Sequence, residues 1–289
     1  MTISGNARVA GVIGWPVSHS RSPALHGFWL REHGIDGAYI PLPIAPDNLE
    51  PALRALPMLG FAGVNVTVPH KEAAALIVDE LDPAARRLGA VNTIICRPDG
   101  RLTGRNTDGY GFIENLRNSG TGWLKSTGPA VVIGAGGAAR AVVAALLDDG
   151  CPELRLVNRT MARAEKLAAD LAKDPEIGGK IKPVAWDQRA EILADADLLV
   201  NCSTLGMVGQ PPLDICLDEL PLSALVNDIV YTPLMTPLLD AAKARGNPVV
   251  DGLGMLLHQG RPGFAAWFGV EPAVTDGLRE LMLEEIRGG

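Results

Sequence analysis

The sequence predicts an α/β protein of two α/β domains, the second a doubly wound parallel sheet, and three observations carry that expectation. From Ala130 onward, short β-branched runs alternate with alanine-rich helical stretches, the pattern of strands joined by crossover helices in one parallel sheet. The first of those runs, Val131-Val132-Ile133, breaks into Gly134-Ala135-Gly136-Gly137-Ala138 before its helix begins. The first hundred residues alternate in the same way but have no glycine-rich turn.

In chain order, the first half reads as strands near 8–13, 38–42, 62–66 and 92–96, with helices near 23–33, 47–56, 70–78 and 83–88. Val9 to Val17 is apolar, but it contains Pro16 and runs into Ser18-His19-Ser20-Arg21 with no small-residue cleavage site, so it reads as a buried strand rather than a leader. Pro23 suits the first position of a helix. In the second half, strands are expected at 130–134, 153–158, 181–186, 197–202, 224–230 and 248–251, with helices near 137–149, 161–173 and 236–245. Along 161–173, alanines and Leu167 fall on one side, with Arg163, Glu165, Lys166 and Asp170 elsewhere, which suits a helix with one face on a sheet. Met255 to Phe268 and Asp276 to Arg287 are final helical segments.

Composition narrows the class. With 289 residues, 47% of them hydrophobic and 20% charged, the chain can fill two cores and is globular rather than disordered. No uncharged apolar run reaches the ~20 residues of a membrane helix, so no membrane partner is expected. Cys96, Cys151, Cys202 and Cys216 are scattered, without a C-x-x-C pair or histidines at ligand spacing. Neither a metal site nor a disulfide framework is expected, and the cytoplasm is the expected compartment. A net charge of −7 repels nucleic acid. Any anionic ligand has to be held by a local cluster.

The glycine turn names such a ligand. A strand that breaks into glycines and then into an alanine-rich helix is the start of a dinucleotide-binding unit. Gly134 makes the turn, Gly136 lets backbone approach a pyrophosphate, and the helix beginning near Gly137 aims its unpaired N–H groups at the phosphates. Ala139 takes the small third position needed for packing on the strand. The second domain is therefore expected to be Rossmann-like, with a nicotinamide cofactor as leading ligand. Where the next strand usually ends in an acidic residue for the ribose 2′-hydroxyl, this chain has Asn158-Arg159-Thr160, with Arg163 one helical turn beyond Arg159. A carboxylate there would repel a 2′-phosphate, whereas two guanidiniums can clamp it. NADP(H) is favoured over NAD(H). The plainer alternative is that both arginines only solvate a helix face.

Three junctions offer chemistry. Gly14 to Pro23 leads from a strand into a helix and places the hydroxyls of Ser20 and Ser22 at the helix start, as caps or as holders of a carboxylate. Asn65 to Lys71 follows another strand and sets Lys71 at the head of a helix, against the dipole preference for anions there. Gly104 to Gly111 lies between the domains and carries Asp108, which alone would be an ordinary turn or cap residue. Hydride transfer between a carbinol and NADP(H) needs a proton donor or acceptor beside the reacting oxygen, and Lys71 with Asp108 can supply it as an ion pair. His70 is the rival acid or base, and chemistry alone does not choose between His70 and Lys71.

Taken in order, Ser20-Arg21-Ser22-Pro23, Asn65 to Lys71, Gly89 to Thr93, Asn106-Thr107-Asp108-Gly109, Gly134 to Arg140, Asn158-Arg159-Thr160, Tyr231-Thr232-Pro233 with Thr236-Pro237, and Gly252 to Met255 with Gln259 resemble the NADP-dependent shikimate dehydrogenase family over nearly the whole chain. The resemblance implies reversible reduction of 3-dehydroshikimate to shikimate on the route to aromatic amino acids. It implies that Ser20, Ser22 and Tyr231 bind the substrate carboxylate, that Thr67, Asn92 and Gln259 bind its hydroxyls, and that Lys71 and Asp108 are the catalytic pair with Lys71 as acid/base. Gly134, Ala135, Gly136, Gly137, Ala138, Asn158, Arg159, Thr160, Arg163 and Gly252 would hold the cofactor. Residues 1–107 would form a substrate-binding and catalytic domain completed by 252–289, with 108–251 the NADP domain and substrate in a cleft between the two.

Two positions depart from the family pattern. His70 stands where an aromatic residue is frequent and reads as a packing or hydrogen-bonding variant, and Gly27 stands where many members have Asn. The rival readings are a quinate/shikimate dehydrogenase of broader specificity and a non-catalytic NADP-binding sensor. Arg159 and Ser22 speak against the first, and the presence of both Lys71 and Asp108 against the second. The expected partner is a small molecule, for a monomer or homodimer.

Overall fold

Alternation of β-branched and small residues after Arg8 produces a strand that becomes the second of six in a sheet. The computed structural model describes residues 3–174 and 179–288. The first ten elements are β1 (Arg8–Gly14), α1 (Ser22–Glu32), β2 (Gly37–Pro43), α2 (Leu49–Ala55), β3 (Phe61–Val66), α3 (Lys71–Ile77), β4 (Glu80–Leu81), α4 (Pro83–Leu88), β5 (Thr93–Cys96) and β6 (Leu102–Arg105). Their sheet has the order β2-β1-β3-β5-β6-β4. β1 is parallel to β2 and β3, whereas β5 is antiparallel to both of its neighbours.

The reversal of β5 has a local cause. Pro98-Asp99-Gly100 makes a tight connection to β6, closed by Arg97 N to Arg101 O (2.8 Å) with Gly100 at φ +85°. So short a link can join only antiparallel neighbours. The expected element series had no strand at 102–105, and this Pro-Asp-Gly signal is what could have found it. Leu53, Val64, Ile94 and Leu102 are among the residues of the core on one side of this sheet.

The elements that follow are α5 (Asp108–Arg117), β7 (Ala130–Ile133), α6 (Gly137–Asp148), β8 (Leu154–Val157), α7 (Met161–Leu171), β9 (Ile181–Val184), β10 (Leu198–Asn201), β11 (Leu225–Asp228), α8 (Pro237–Arg245) and β12 (Val249–Val250). The chain closes with α9 (Leu253–Phe268) and α10 (Asp276–Gly288). The second sheet, β12-β11-β10-β7-β8-β9, is parallel throughout. Counted from β7, its strands stand in the spatial order 3-2-1-4-5-6 when read from β9, the doubly wound arrangement of a Rossmann-like domain. Val131, Ile133, Leu199, Val226 and Leu239 belong to its core.

The helix α5 was not among the expected elements, where Asp108 was read as a turn or cap residue. In the structure Gly109 is a contact point: a Cβ there would lie 3.0 Å from Ala145 Cβ and 3.2 Å from Ala141 O of α6. Strand β11 stops at Asp228, two residues before the expected end, because the Asp228 side chain takes the N–H of Val230 (3.0 Å).

The chain divides into two compact units, Met1–Thr107 with Gln259–Gly289, and Asp108–His258. The sequence grouped 252–258 with the first domain. The structure groups them with the second, where Asn115 Nδ2 of α5 donates to Asp251 O (2.8 Å) and Leu253 N to Asp251 Oδ1 (3.0 Å). No helix among the described residues is long and apolar enough to cross a membrane.

Candidate active site

The carboxyl edge of the second sheet begins with the glycine turn after β7. Gly134 has φ +114°, and a Cβ there would come within about 3 Å of the Cys202 carbonyl and Ser203 N, past the end of β10. The protein itself therefore demands this glycine. Gly136 is different. It caps α6 in extended conformation with no side-chain hydrogen bond to the helix, and a Cβ on Gly136 or Gly137 would meet nothing within 4 Å. The first turn of a 12-residue helix thus faces open space with backbone donors unclaimed by side chains, beside the point where β7 and β10 diverge. Such a helix start suits a phosphate. Ala135 and Ala138 flank the turn, both half-buried, and Ala139 is fully buried beneath it.

Beyond β8, Asn158 Nδ2 donates to Thr160 O (2.9 Å), closing the turn into α7, for which Thr160 is the N-cap. Arg159 and Arg163 are exposed, and neither forms an ion pair among the described residues. Arg140 and Arg155, by contrast, are bound to Asp170 (2.7 Å) and to Glu153 (2.8 Å). Tyr231 sits half-buried in the loop after β11. That loop is fixed by buried Asp228, whose carboxylate accepts from Thr236 Oγ1 (2.7 Å) and Asn201 Nδ2 (3.1 Å). Burial pushes the Asp228 carboxyl above the usual range. Gly252 lies past β12, and a Cβ there would meet Ile229 O at 2.3 Å, so packing alone already requires it.

In the first unit the candidate residues gather at one edge of a mixed sheet. Ser20 and Ser22 follow β1, and Thr67 and Lys71 follow β3, its parallel neighbour. Asn92 precedes β5, but because β5 is reversed its start lies at the same edge, with Thr93 paired to Asn65 and to Arg105. The expected helix start at Pro23 shifts to Ser22. Arg21 is the N-cap and no side chain caps the helix, while Ser20 Oγ accepts from Ser22 N at 3.3 Å. Ser22 itself is buried.

Behind that edge lies a buried polar network that the sequence reading did not anticipate. Tyr39 Oη donates to Asn65 Oδ1 (2.6 Å), and Asn65 Nδ2 donates to Asn92 O and Thr93 Oγ1 (both 3.1 Å). Thr93 Oγ1 and Thr107 N both donate to Asn92 Oδ1 (3.0 Å), and Asn92 Nδ2 donates to Gln259 Oε1 (3.2 Å). Burial keeps the Tyr39 phenol protonated well past its ordinary value. It also holds His26, stacked on Tyr39 at 4.0 Å, down to a pKa of about 3. The signal in the sequence was Asn65, a lone amide in the apolar strand Phe61–Val66.

Lys71 is the first residue of α3, half-buried, and its carbonyl accepts from Val91 N (2.8 Å), which ties it to the segment carrying Asn92. Asp108 is the first residue of α5, also half-buried. His70, the rival acid or base, is 1% exposed, and its Nε2 donates to Ile44 O (2.8 Å). That bond ties it to the segment just after β2. A Cβ at Gly27 would meet only Arg31 Nη1, at 3.5 Å.

A family model described as the shikimate dehydrogenase substrate binding domain matches residues 12–94, and one described as shikimate / quinate 5-dehydrogenase matches residues 123–206. A shikimate dehydrogenase (NADP(+)) of Paramagnetospirillum magneticum is 63% identical over 281 residues, covering 97% of this chain and 100% of its own. The chain belongs to the shikimate dehydrogenase family. Among solved structures, a shikimate dehydrogenase in complex with NADP+ is similar with a TM-score of 0.89 at 35% identity, covering 99% of this chain and 98% of the other. A quinate dehydrogenase from Corynebacterium glutamicum in complex with NAD is similar at 0.88 and 32%, covering 96% and 99%. Fold alone therefore does not separate the two specificities within shikimate dehydrogenase relatives.

Proposed function

We propose that this protein reversibly reduces 3-dehydroshikimate to shikimate with NADPH, a step towards aromatic amino acids. The observation that carries this reading is the edge of the first sheet, where Ser20, Ser22, Thr67, Lys71 and Asn92 gather, with Gln259 hydrogen-bonded to Asn92. Ser20, Ser22 and Tyr231 bind the substrate carboxylate, and Thr67, Asn92 and Gln259 its hydroxyls. Lys71 gives a proton to the reacting oxygen during reduction and takes it back during oxidation, with Asp108 as its partner. The first unit, 1–107 with the C-terminal segment, carries the substrate and the second carries NADP.

The open first turn of α6 and the exposed Arg159 and Arg163, without an ion pair among the described residues, fit an NADP pyrophosphate and 2′-phosphate. Gly134 to Ala138, Asn158, Thr160 and Gly252 complete that set. When bound, the cofactor supplies or accepts the hydride. On this reading the enzyme works in the cytoplasm as a monomer or homodimer, with neither nucleic acid nor membrane as partner.

Absorbance in the nicotinamide band, followed with shikimate and quinate and with NADP+ and NAD+, tests the reading. Quinate carries an extra hydroxyl that a shikimate-shaped site leaves unpaired, at about 1–3 kcal/mol. The expected result is kcat/KM for shikimate with NADP+ at least about tenfold above quinate. Comparable values for both acids establish the broader quinate/shikimate specificity instead, and no NADP+ reduction with either points to a binding protein without catalysis.

A further inference from the structure

The amide of Asn92 can meet a substrate hydroxyl in two ways, through its NH2 as a donor or through its carbonyl as an acceptor. The buried network chooses between them. Asn92 Oδ1 is turned inward on two donors, Thr107 N and Thr93 Oγ1, each at 3.0 Å. Its Nδ2 is turned to Thr107 Oγ1 (3.0 Å) and Gln259 Oε1 (3.2 Å). Flipping the amide would set its NH2 against the Thr107 N–H, donor on donor, and would break the bond that Thr93 Oγ1 donates, while Asn65 Nδ2 (3.1 Å) already takes one of the two lone pairs of Thr93 Oγ1.

Asn65 cannot relax to accommodate such a flip. Its Oδ1 accepts from Tyr39 Oη (2.6 Å), and its Nδ2 serves Asn92 O and Thr93 Oγ1. The carbonyl and both N–H groups of that buried amide are used, and the N–H on Thr93 Oγ1 leaves the Thr93 proton for Asn92 Oδ1. Thr93 is fully buried and touches no solvent. We propose that Thr93, held by Asn65, is a positioning residue that locks the Asn92 amide with its NH2 facing Gln259, so that a ring hydroxyl taking the place of Gln259 Oε1 meets a donor there and has to accept. This rests on the assignment of Asn92 and Gln259 to substrate hydroxyls.

The test uses Thr93→Val, which removes the hydroxyl at nearly constant volume, and Thr93→Ser, which retains it. If the lock operates, Thr93→Val raises KM for shikimate about tenfold, because a contact shared by ground and transition states is lost, with kcat within about threefold and KM for NADP+ unchanged. Thr93→Ser restores KM to within about twofold of the unaltered protein. In an Asn92→Ala background, Thr93→Val adds no further rise in KM, since the group it positions is gone. A fall in melting temperature for Thr93→Val with KM unchanged, equal rises for Val and Ser, or additive effects in the double variant would each overturn the proposal. Failure of the unaltered protein to reduce NADP+ with shikimate overturns the functional reading and the proposal with it.

Discussion

The two sheets bring candidate residues to an edge by different means. In the second, every strand runs the same way, and Gly134, Asn158, Tyr231 and Gly252 each follow a strand. In the first, β5 is reversed, and Asn92 reaches the edge by preceding a strand. Their chemistry differs too. The second edge offers backbone donors and exposed guanidiniums, as suits a charged ligand met from solvent, whereas the first offers hydroxyls and amides braced by a buried network. A parallel sheet puts its site where strand-to-helix junctions are read; a mixed sheet places part of it where no such junction exists.

The largest expected effect breaks or supports the division of labour directly. Lys71→Ala should lower kcat by about 10²–10⁴ while leaving NADP+ affinity unchanged, because proton transfer acts in the transition state and the cofactor contacts proposed above belong to the other unit. Steady-state kinetics alongside NADP+ titration checks this, and a parallel loss of NADP+ affinity would erase the contrast. His70→Ala, which removes only the bond to Ile44 O and its packing, should change kcat far less.

Next in size is Arg159→Ala, expected to weaken NADP+ binding by about 1.5–3 kcal/mol and NAD+ binding hardly at all. Equal losses, measured by calorimetry with each dinucleotide, would mean that Arg159 does not meet the 2′-phosphate. The two glycines of the turn sharpen the picture further. Gly134→Ala should destabilise the protein by about 1–3 kcal/mol, from positive φ and the approach to Cys202. Gly136→Ala, with space around it, should leave the melting temperature near that of the unaltered protein yet weaken NADP+ binding.

The smallest effect per step is in pH. His26 titrates near 6.5 when unfolded and about 3 when folded, because burial disfavours its cation. Between those values the unfolded chain binds the extra proton, so stability falls as pH drops, by up to about 1.4 kcal/mol per pH unit. Asp228 acts in the opposite sense in the second unit. Its carboxyl is raised by burial, so its ionised form costs stability at neutral pH and that cost is relieved as pH falls. Urea unfolding between pH 7 and 4 should therefore show a shallower acid loss for His26→Phe and a steeper one for Asp228→Asn than for the unaltered protein.

What could be read in the sequence follows the same division. The second sheet was legible because its central strands are apolar runs closed by a small or polar junction, and Gly134 and Arg159 stand at such junctions, as Lys71 does after β3 of the first sheet. Strand β6 was hidden by its length and by Gly104, and helix α5 by Gly109, which serves packing against α6. From the residues alone, Asn92 was invisible, since nothing in Val91-Asn92-Thr93 says that the next strand is reversed; only the family resemblance pointed to it. Tyr39, Asn65 and Thr93 were missed because their roles arise from hydrogen bonds across strands, such as that of Asn65 to Thr93, which no local spacing encodes.

The first unit is discontinuous in the chain, and this sets an order of completion during synthesis. Trp267 Nε1 donates to Ile94 O across 173 positions, and Trp29 Nε1 to Ala273 O across 244. Until those late residues leave the ribosome, the surface formed by His26, Trp29 and Tyr39 lacks the Phe264 and Trp267 rings that pack on it in the finished fold. The second unit, Asp108–His258, is by then entirely emerged. The unit that is translated first is thus finished last, and a chain halted after His258 would hold a complete second unit beside an aromatic half-core with nothing to cover it.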